Sequence, residues 1–185
     1  MTRPVALALL LFLAGCGEDA RARHGYRVSV PAAWEPWRQP PAPVVPGEVL
    51  EAYGVPAAGT RGSLVVFRSG YVPETTAGQL LAATHYLLLN LPSLEIKAER
   101  EITVGGKPAV LVEVVADGTG GALAPTGLGK PVAPPRESLI RTRRVWVRVP
   151  RGPEDGMLEV FFHVPESEYE RFAGAWSEVL ASLRA

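Results

Sequence analysis

The chain has 185 residues, 19 Lys/Arg against 19 Asp/Glu, and a single cysteine. That length suits one domain with a sizeable core. The balanced charge leaves no electrostatic footprint for nucleic acid, and one cysteine excludes an internal disulfide.

Arg3 and the nine apolar residues from Val5 to Leu13 have the make-up of a signal peptide, and the run is too short to span a bilayer as a helix. Leu13-Ala14-Gly15-Cys16 follows directly and resembles the lipobox of bacterial lipoproteins. The resemblance implies cleavage between Gly15 and Cys16, a diacylglyceryl thioether on Cys16 and fatty acylation of the new amino terminus, the palmitate-type anchor of such proteins. The expected organisation is a signal peptide over 1–15, a lipidated cysteine and flexible tether over 16–24, and a single domain over 25–185. Removing 1–15 takes away only Arg3, leaving 18 basic and 19 acidic side chains. The expected location is the cell envelope, lipid-anchored to a membrane and facing the periplasm or the outside.

Tyr26, Val28 and Val30 alternate with Arg27 and Ser29, predicting a half-buried strand stopped by Pro31. Six prolines between Pro31 and Pro46 keep the next stretch out of helices and central strands. Strands are predicted over Glu48–Tyr53 and Leu64–Arg68, with Ser63 and Ser69 in the flanking turns. Thr76-x-x-Gln79 is a capping box that opens a helix to about Asn90, ended by Pro92, with Leu80, Thr84, Leu87, Leu88 and Leu91 on its buried stripe. Glu95–Val104 and Ala109–Ala116 read as a hairpin over Gly105-Gly106. Asp117–Glu137, with five Gly and four Pro, is a long loop. Leu139–Val149 and Met157–Val164 form a second strand pair, the latter with Leu158, Val160, Phe162 and Val164 facing inward. Ser167-x-x-Glu170 is read as the cap of a last helix whose stripe carries Tyr169, Phe172, Trp176, Val179, Leu180 and Leu183.

Three stretches carry a resemblance: Gly25-Tyr26-Arg27-Val28-Ser29-Val30-Pro31-x-x-Trp34, Ile102 through Gly105-Gly106 to Ala109, and Val160 through Tyr169, Phe172 and Trp176 to Leu183. In that order they resemble the PsbP-like domains. The resemblance implies an α+β fold, an antiparallel β-sheet flanked by helices in an α/β/α sandwich. It also implies a domain that is not generally enzymatic.

The sequence singles out no catalytic constellation and no cofactor motif. His24, His85 and His163 are not at ligand spacing, so no metal is expected. No G-x-S-x-G elbow is present, and Gly118-Thr119-Gly120-Gly121 runs into prolines where a nucleotide loop needs a helix. Six arginines lie within residues 136–151. As a functional feature, Arg141, Arg143 and Arg148 would face an anionic ligand or an envelope protein partner. As an ordinary strand they would pair across the sheet with Glu159 or Glu113, and this reading is favoured because Arg143 and Arg144 must point to opposite faces. Trp34 and Trp176 read as core. Trp37 and Trp146 are candidates for stacking on a sugar or peptide. The function expected is that of a monomeric, lipid-anchored, non-catalytic binding or scaffolding domain. The alternatives are a periplasmic small-ligand or glycan-binding module and, less favoured, a hydrolase.

Overall fold

The computed structural model describes residues 20–37, 47–57, 62–70, 76–88, 93–118 and 140–185. Cys16 and its signal segment, residues 38–46 of the proline-rich stretch and residues 119–139 lie outside them, as do Leu91 and Pro92. The elements in chain order are β1 (Glu35–Pro36), β2 (Gly47–Val55), β3 (Gly62–Ser69), α1 (Ala77–Leu88), β4 (Glu95–Val104), β5 (Lys107–Gly118), β6 (Ile140–Gly152), β7 (Gly156–Pro165) and α2 (Tyr169–Ser182). The strands form one antiparallel sheet in the order β1-β2-β3-β7-β6-β5-β4. One edge, β1, is only two residues long. The other, β4, carries Glu95, Lys97, Glu99, Arg100 and Glu101, a charge row that discourages pairing with a further strand.

The expected α/β/α sandwich, an antiparallel sheet flanked by helices, is what forms. On one face α2 and the segment from Tyr26 to Trp34 pack over Val145, Val147, Leu158, Val160 and Phe162. The Phe162 ring lies between two indoles, 5.7 Å from Trp34 and 5.0 Å from Trp176, nearly parallel to both. On the other face α1 lies over β5 and β4, with Leu80, Thr84 and Leu88 turned to the sheet. Phe67, Trp146 and Phe161 fill that side. Because both faces are covered, all ten residues of β7 are buried. The alternation of Leu158 to Val164 therefore marks one inward face of two.

Local signals held where the chemistry was local. Thr76 N donates to Gln79 Oε1 at 2.8 Å and Gln79 N to Thr76 Oγ1 at 3.2 Å, the reciprocal capping box. Gly105 and Gly106 both take positive φ at the β4–β5 turn.

Three expectations are corrected. Tyr26–Val30 alternates as expected but joins no strand ladder. It makes an isolated bridge, Arg27 to Arg184, and Ser29 N donates to Ser182 Oγ at 2.8 Å, so this segment pairs with the end of α2. The cap at Ser167 does not form, because Glu166–Glu168 make a 3-10 turn and α2 starts at Tyr169 with no side-chain cap. Ser63 and Ser69 lie inside β3, fully or nearly buried, since that strand begins two residues before Leu64.

Candidate functional site

The pleat sorts the arginines of β6 between the two faces of the sheet. On the α2 face, Arg143 Nε meets Glu113 Oε1 at 2.5 Å, and its guanidinium lies 4.3 Å from the Tyr169 ring centre. Burial, then the Glu113 charge, raises the Tyr169 phenol to about 12. Arg141, toward the end of the strand, bridges Glu95 at 2.6 Å and Glu166 at 2.8 Å and stays 41% exposed. The side chains of Lys97 and then Arg141 hold the Glu95 carboxyl below its usual range.

On the α1 face, Arg148 Nε donates to Glu159 Oε2 at 3.0 Å and its Nη1 to Thr84 Oγ1 at 3.0 Å. Ser69 Oγ donates to the other Glu159 oxygen, and Thr84 Oγ1 donates to Leu80 O at 2.7 Å. Burial pushes the Glu159 carboxyl up, and the Arg148 charge opposes that. The indole Nε1 of Trp146 faces the same carboxylate but stays outside hydrogen-bond geometry.

These placements correct two of the residues read as partner contacts. Arg148 and Trp146 are buried beneath the α1 layer, so neither presents a side chain to a partner. The pairing read from the sequence as the ordinary alternative, with Glu113 and Glu159, is the one that forms. Trp37 is half-buried. Its indole lies on the backbone of Gly54, where an added Cβ would come within 2.6 Å of Nε1, and that Nε1 is buried without a partner among the described residues.

One row across the α1 face holds the chemistry that the sequence reading passed over. Gly54 of β2, Ser63 of β3, His163 of β7, Arg144 of β6 and Val114 of β5 are successive register partners. Ser63 Oγ and His163 Nδ1 are 2.8 Å apart, both buried. Arg144 Nε donates to Thr142 Oγ1 at 2.9 Å, and Thr142 donates in turn to Ala116 O at 3.1 Å. Among the described residues no carboxylate pairs with Arg144, although it is only 7% exposed. Burial lowers its guanidinium to about 10, which leaves it charged at neutral pH. Burial and the Arg144 charge hold the His163 ring down at about 3, hence neutral. The parity of Arg144 was readable from the sequence, but its alignment with His163 and Ser63 needed the strand order, which no local pattern contains.

Ser63 and His163 are the residue types of a nucleophile and its base. A ring that protonates only near pH 3 is a weak base at neutral pH, and no carboxylate orients it among the described residues. No group of three or more His, Cys, Asp or Glu among the described residues is placed to hold a metal. His85 instead approaches Glu99 at 3.4 Å. A surface depression of about 510 Å³ lies at the start of the described residues, lined by Arg21, Gly25, Tyr26, Arg27, Arg184 and Ala185. Beside it Glu51 accepts from Arg21, Tyr26 and Tyr53, which fixes residues 20–24 to β2. Among the described residues no helix is long and apolar enough to cross a membrane.

No family model and no curated protein matches the chain. Solved structures do. LpqN of Mycobacterium tuberculosis, described as involved in cell envelope biogenesis, matches with a TM-score of 0.57 at 11% identity, over 86% of this chain and 82% of that one. Cyanobacterial PsbP of Synechocystis matches at 0.54 and 10% identity, over 88% of both chains. A Pseudomonas aeruginosa protein of unknown function matches at 0.53 and 15% identity, over 78% and 91%. At these identities the likeness concerns the fold, and the fold of this chain is PsbP-like.

Proposed function

We propose that the protein is an envelope lipoprotein, anchored through a lipid on Cys16, whose domain binds or scaffolds another envelope component without catalysis. The observation that carries this reading is where the chain docks after the lipobox. Residues 20–24, read from sequence as part of a free tether, are held to the sheet by Arg21 on Glu51 and by Arg151 on the His24 carbonyl. Only four residue steps separate Cys16 from Ala20, at most about 14 Å of extended chain. A lipid on Cys16 would then hold the domain against the membrane surface, a placement that suits docking to membrane neighbours. The fold it shares with LpqN, an envelope-biogenesis protein, supports the same reading.

The test is made in intact cells. Wild-type protein should incorporate labelled fatty acid and remain with the membrane fraction after carbonate washing, whereas Cys16→Ser should do neither. In-cell cross-linking should join the wild-type domain to a specific envelope protein and lose that product in Cys16→Ser. Fatty-acid labelling that persists without Cys16 would sink the anchor, and a cross-link profile identical for both proteins would sink the scaffolding role.

A further inference from the structure

Arg144 is a buried cation whose outer donors have no hydrogen-bond partner among the described residues. Its Nε is committed to Thr142, and Thr142 is committed to Ala116. An arginine has five N–H donors, so four remain on the two Nη atoms, and none of them meets an acceptor among the described residues. The other arginines on β6 have acceptors at their outer nitrogens or carboxylate partners: Arg141 has Glu95 and Glu166, Arg143 has Glu113, Arg148 has Glu159, and the Arg151 Nη atoms have backbone carbonyls although its buried Nε has no partner among the described residues. A buried charge without a partner is destabilising, and at 7% exposure this guanidinium has no acidic partner among the described residues.

The neighbours of Arg144 add hydrogen-bonding groups without adding charge. His163 stands directly opposite it on β7, and Ser63 stands opposite His163 on β3. If Ser63 Oγ–H donates to His163 Nδ1, the ring proton resides on Nε2 and becomes a further donor. With His163 neutral, the row offers one positive charge. A single planar fork with one charge matches a carboxylate, which it can hold by two parallel N–H···O bonds; a phosphate dianion would call for a second cation.

We propose that the Nη edge of Arg144 binds a small-molecule carboxylate, with His163 and Ser63 completing the site on the α1 face of the sheet. This ligand site goes beyond the scaffolding reading and does not depend on the lipid, so it can be tested on the soluble domain of Cys16→Ser. Phenylacetate and succinate serve as carboxylate probes, with phosphate and chloride as controls at equal ionic strength. The wild-type site should raise Tm by about 2–4 °C at a few times the probe Kd, a response phosphate and chloride do not give. Arg144→Met, which removes the buried charge and keeps the length of the chain, should melt above the unliganded parent and lose the probe response. The guanidinium ¹⁵N signals of Arg144 should shift with probe while those of Arg148 stay fixed. An Arg144→Met protein that melts lower, with a parent that ignores every probe, would mean that this arginine is a structural member of the sheet. A parent that ignores both carboxylates while Arg144→Met melts higher would equally overturn the site, and a stronger response to phosphate would overturn its assignment to carboxylates. None of these outcomes bears on membrane anchoring, which the cell experiment addresses separately.

Discussion

Arg148 and Glu159 form an ion pair at 3.0 Å with side chains 8% and 0% exposed, pinned between Thr84 of α1 and Ser69 of β3. Arg141, one end of the same strand, pairs with Glu95 and Glu166 at shorter distances but in contact with solvent. Burial, not distance, decides which pair matters. Breaking a buried pair strands a charge and costs about 3–5 kcal/mol, whereas an exposed pair contributes about 0–1 kcal/mol. Arg148→Gln should therefore lose several kcal/mol in a urea titration and Arg141→Gln almost nothing. With Arg148 gone, the burial that raises the Glu159 carboxyl loses its main opposition, and the weaker hydrogen bond from Ser69 remains. A carboxyl whose folded pKa is raised contributes stability at low pH that is lost as pH rises through the folded value. The Arg148→Gln protein should accordingly gain stability, relative to wild type, as pH is lowered from 7 toward 5. Equal losses for the two variants, or a pH dependence parallel to wild type, would refute the buried-pair account.

Trp37 and Gly54 give a second test, of contact rather than charge. The indole Nε1 occupies the space that a Cβ on residue 54 would need, at 2.6 Å. Gly54→Ala should be destabilising in the parent, because the ring must move off the strand. In a Trp37→Ala background the same change should be near neutral, since alanine is otherwise tolerated in a strand better than glycine. The two substitutions should thus fail to add by about 0.5–3 kcal/mol in a double-mutant cycle. Additive losses would place the indole elsewhere.

How much of this was legible in the sequence depends on the distance over which each feature is made. The capping box of Thr76 and Gln79, the β4–β5 turn at Gly105-Gly106 and the stripe of Phe172, Trp176 and Val179 are built within a few residues, and each stands where the pattern put it. The PsbP-like fold was legible through the order of such pieces. Pairing was not. Tyr26–Val30 has the alternation of a strand because one side of it is buried, yet its hydrogen bonds go to Arg184 and Ser182 at the far end of the chain. Parity separated Arg143 from Arg144, and the acids Glu113 and Glu159 were readable as partners for the β6 arginines. It could not reveal that Arg144 stands beside a histidine and a serine, because Ser63 comes from a strand one hundred residues from His163. Ser63 itself looks locally like a turn residue, a small polar side chain next to glycine.

The Ser63–His163 pair yields the last prediction. The unfolded chain takes up a proton on this ring near the ordinary value of 6.5, whereas burial and then the Arg144 charge delay that protonation in the folded protein to about 3. Between these two values the unfolded state binds more protons, so this group favours unfolding increasingly as pH falls. Its contribution to stability is fully present above pH 6.5 and is lost progressively toward pH 3, on the order of 5 kcal/mol over the whole window at about 1.4 kcal/mol per unit. The other ionisable groups are common to any variant at position 163 and cancel in a difference. His163→Gln keeps an acceptor for Ser63 Oγ and removes the titrating ring. Urea titrations of the two proteins at intervals from pH 7 to pH 4 should show the stability gap changing in favour of the glutamine variant as pH falls. The gap should be constant above pH 7, where the histidine is neutral in both states. A gap that stays the same from pH 7 to pH 4 would mean that His163 protonates in the folded protein as freely as in water, and the neutral ring beside Arg144 would have to be abandoned.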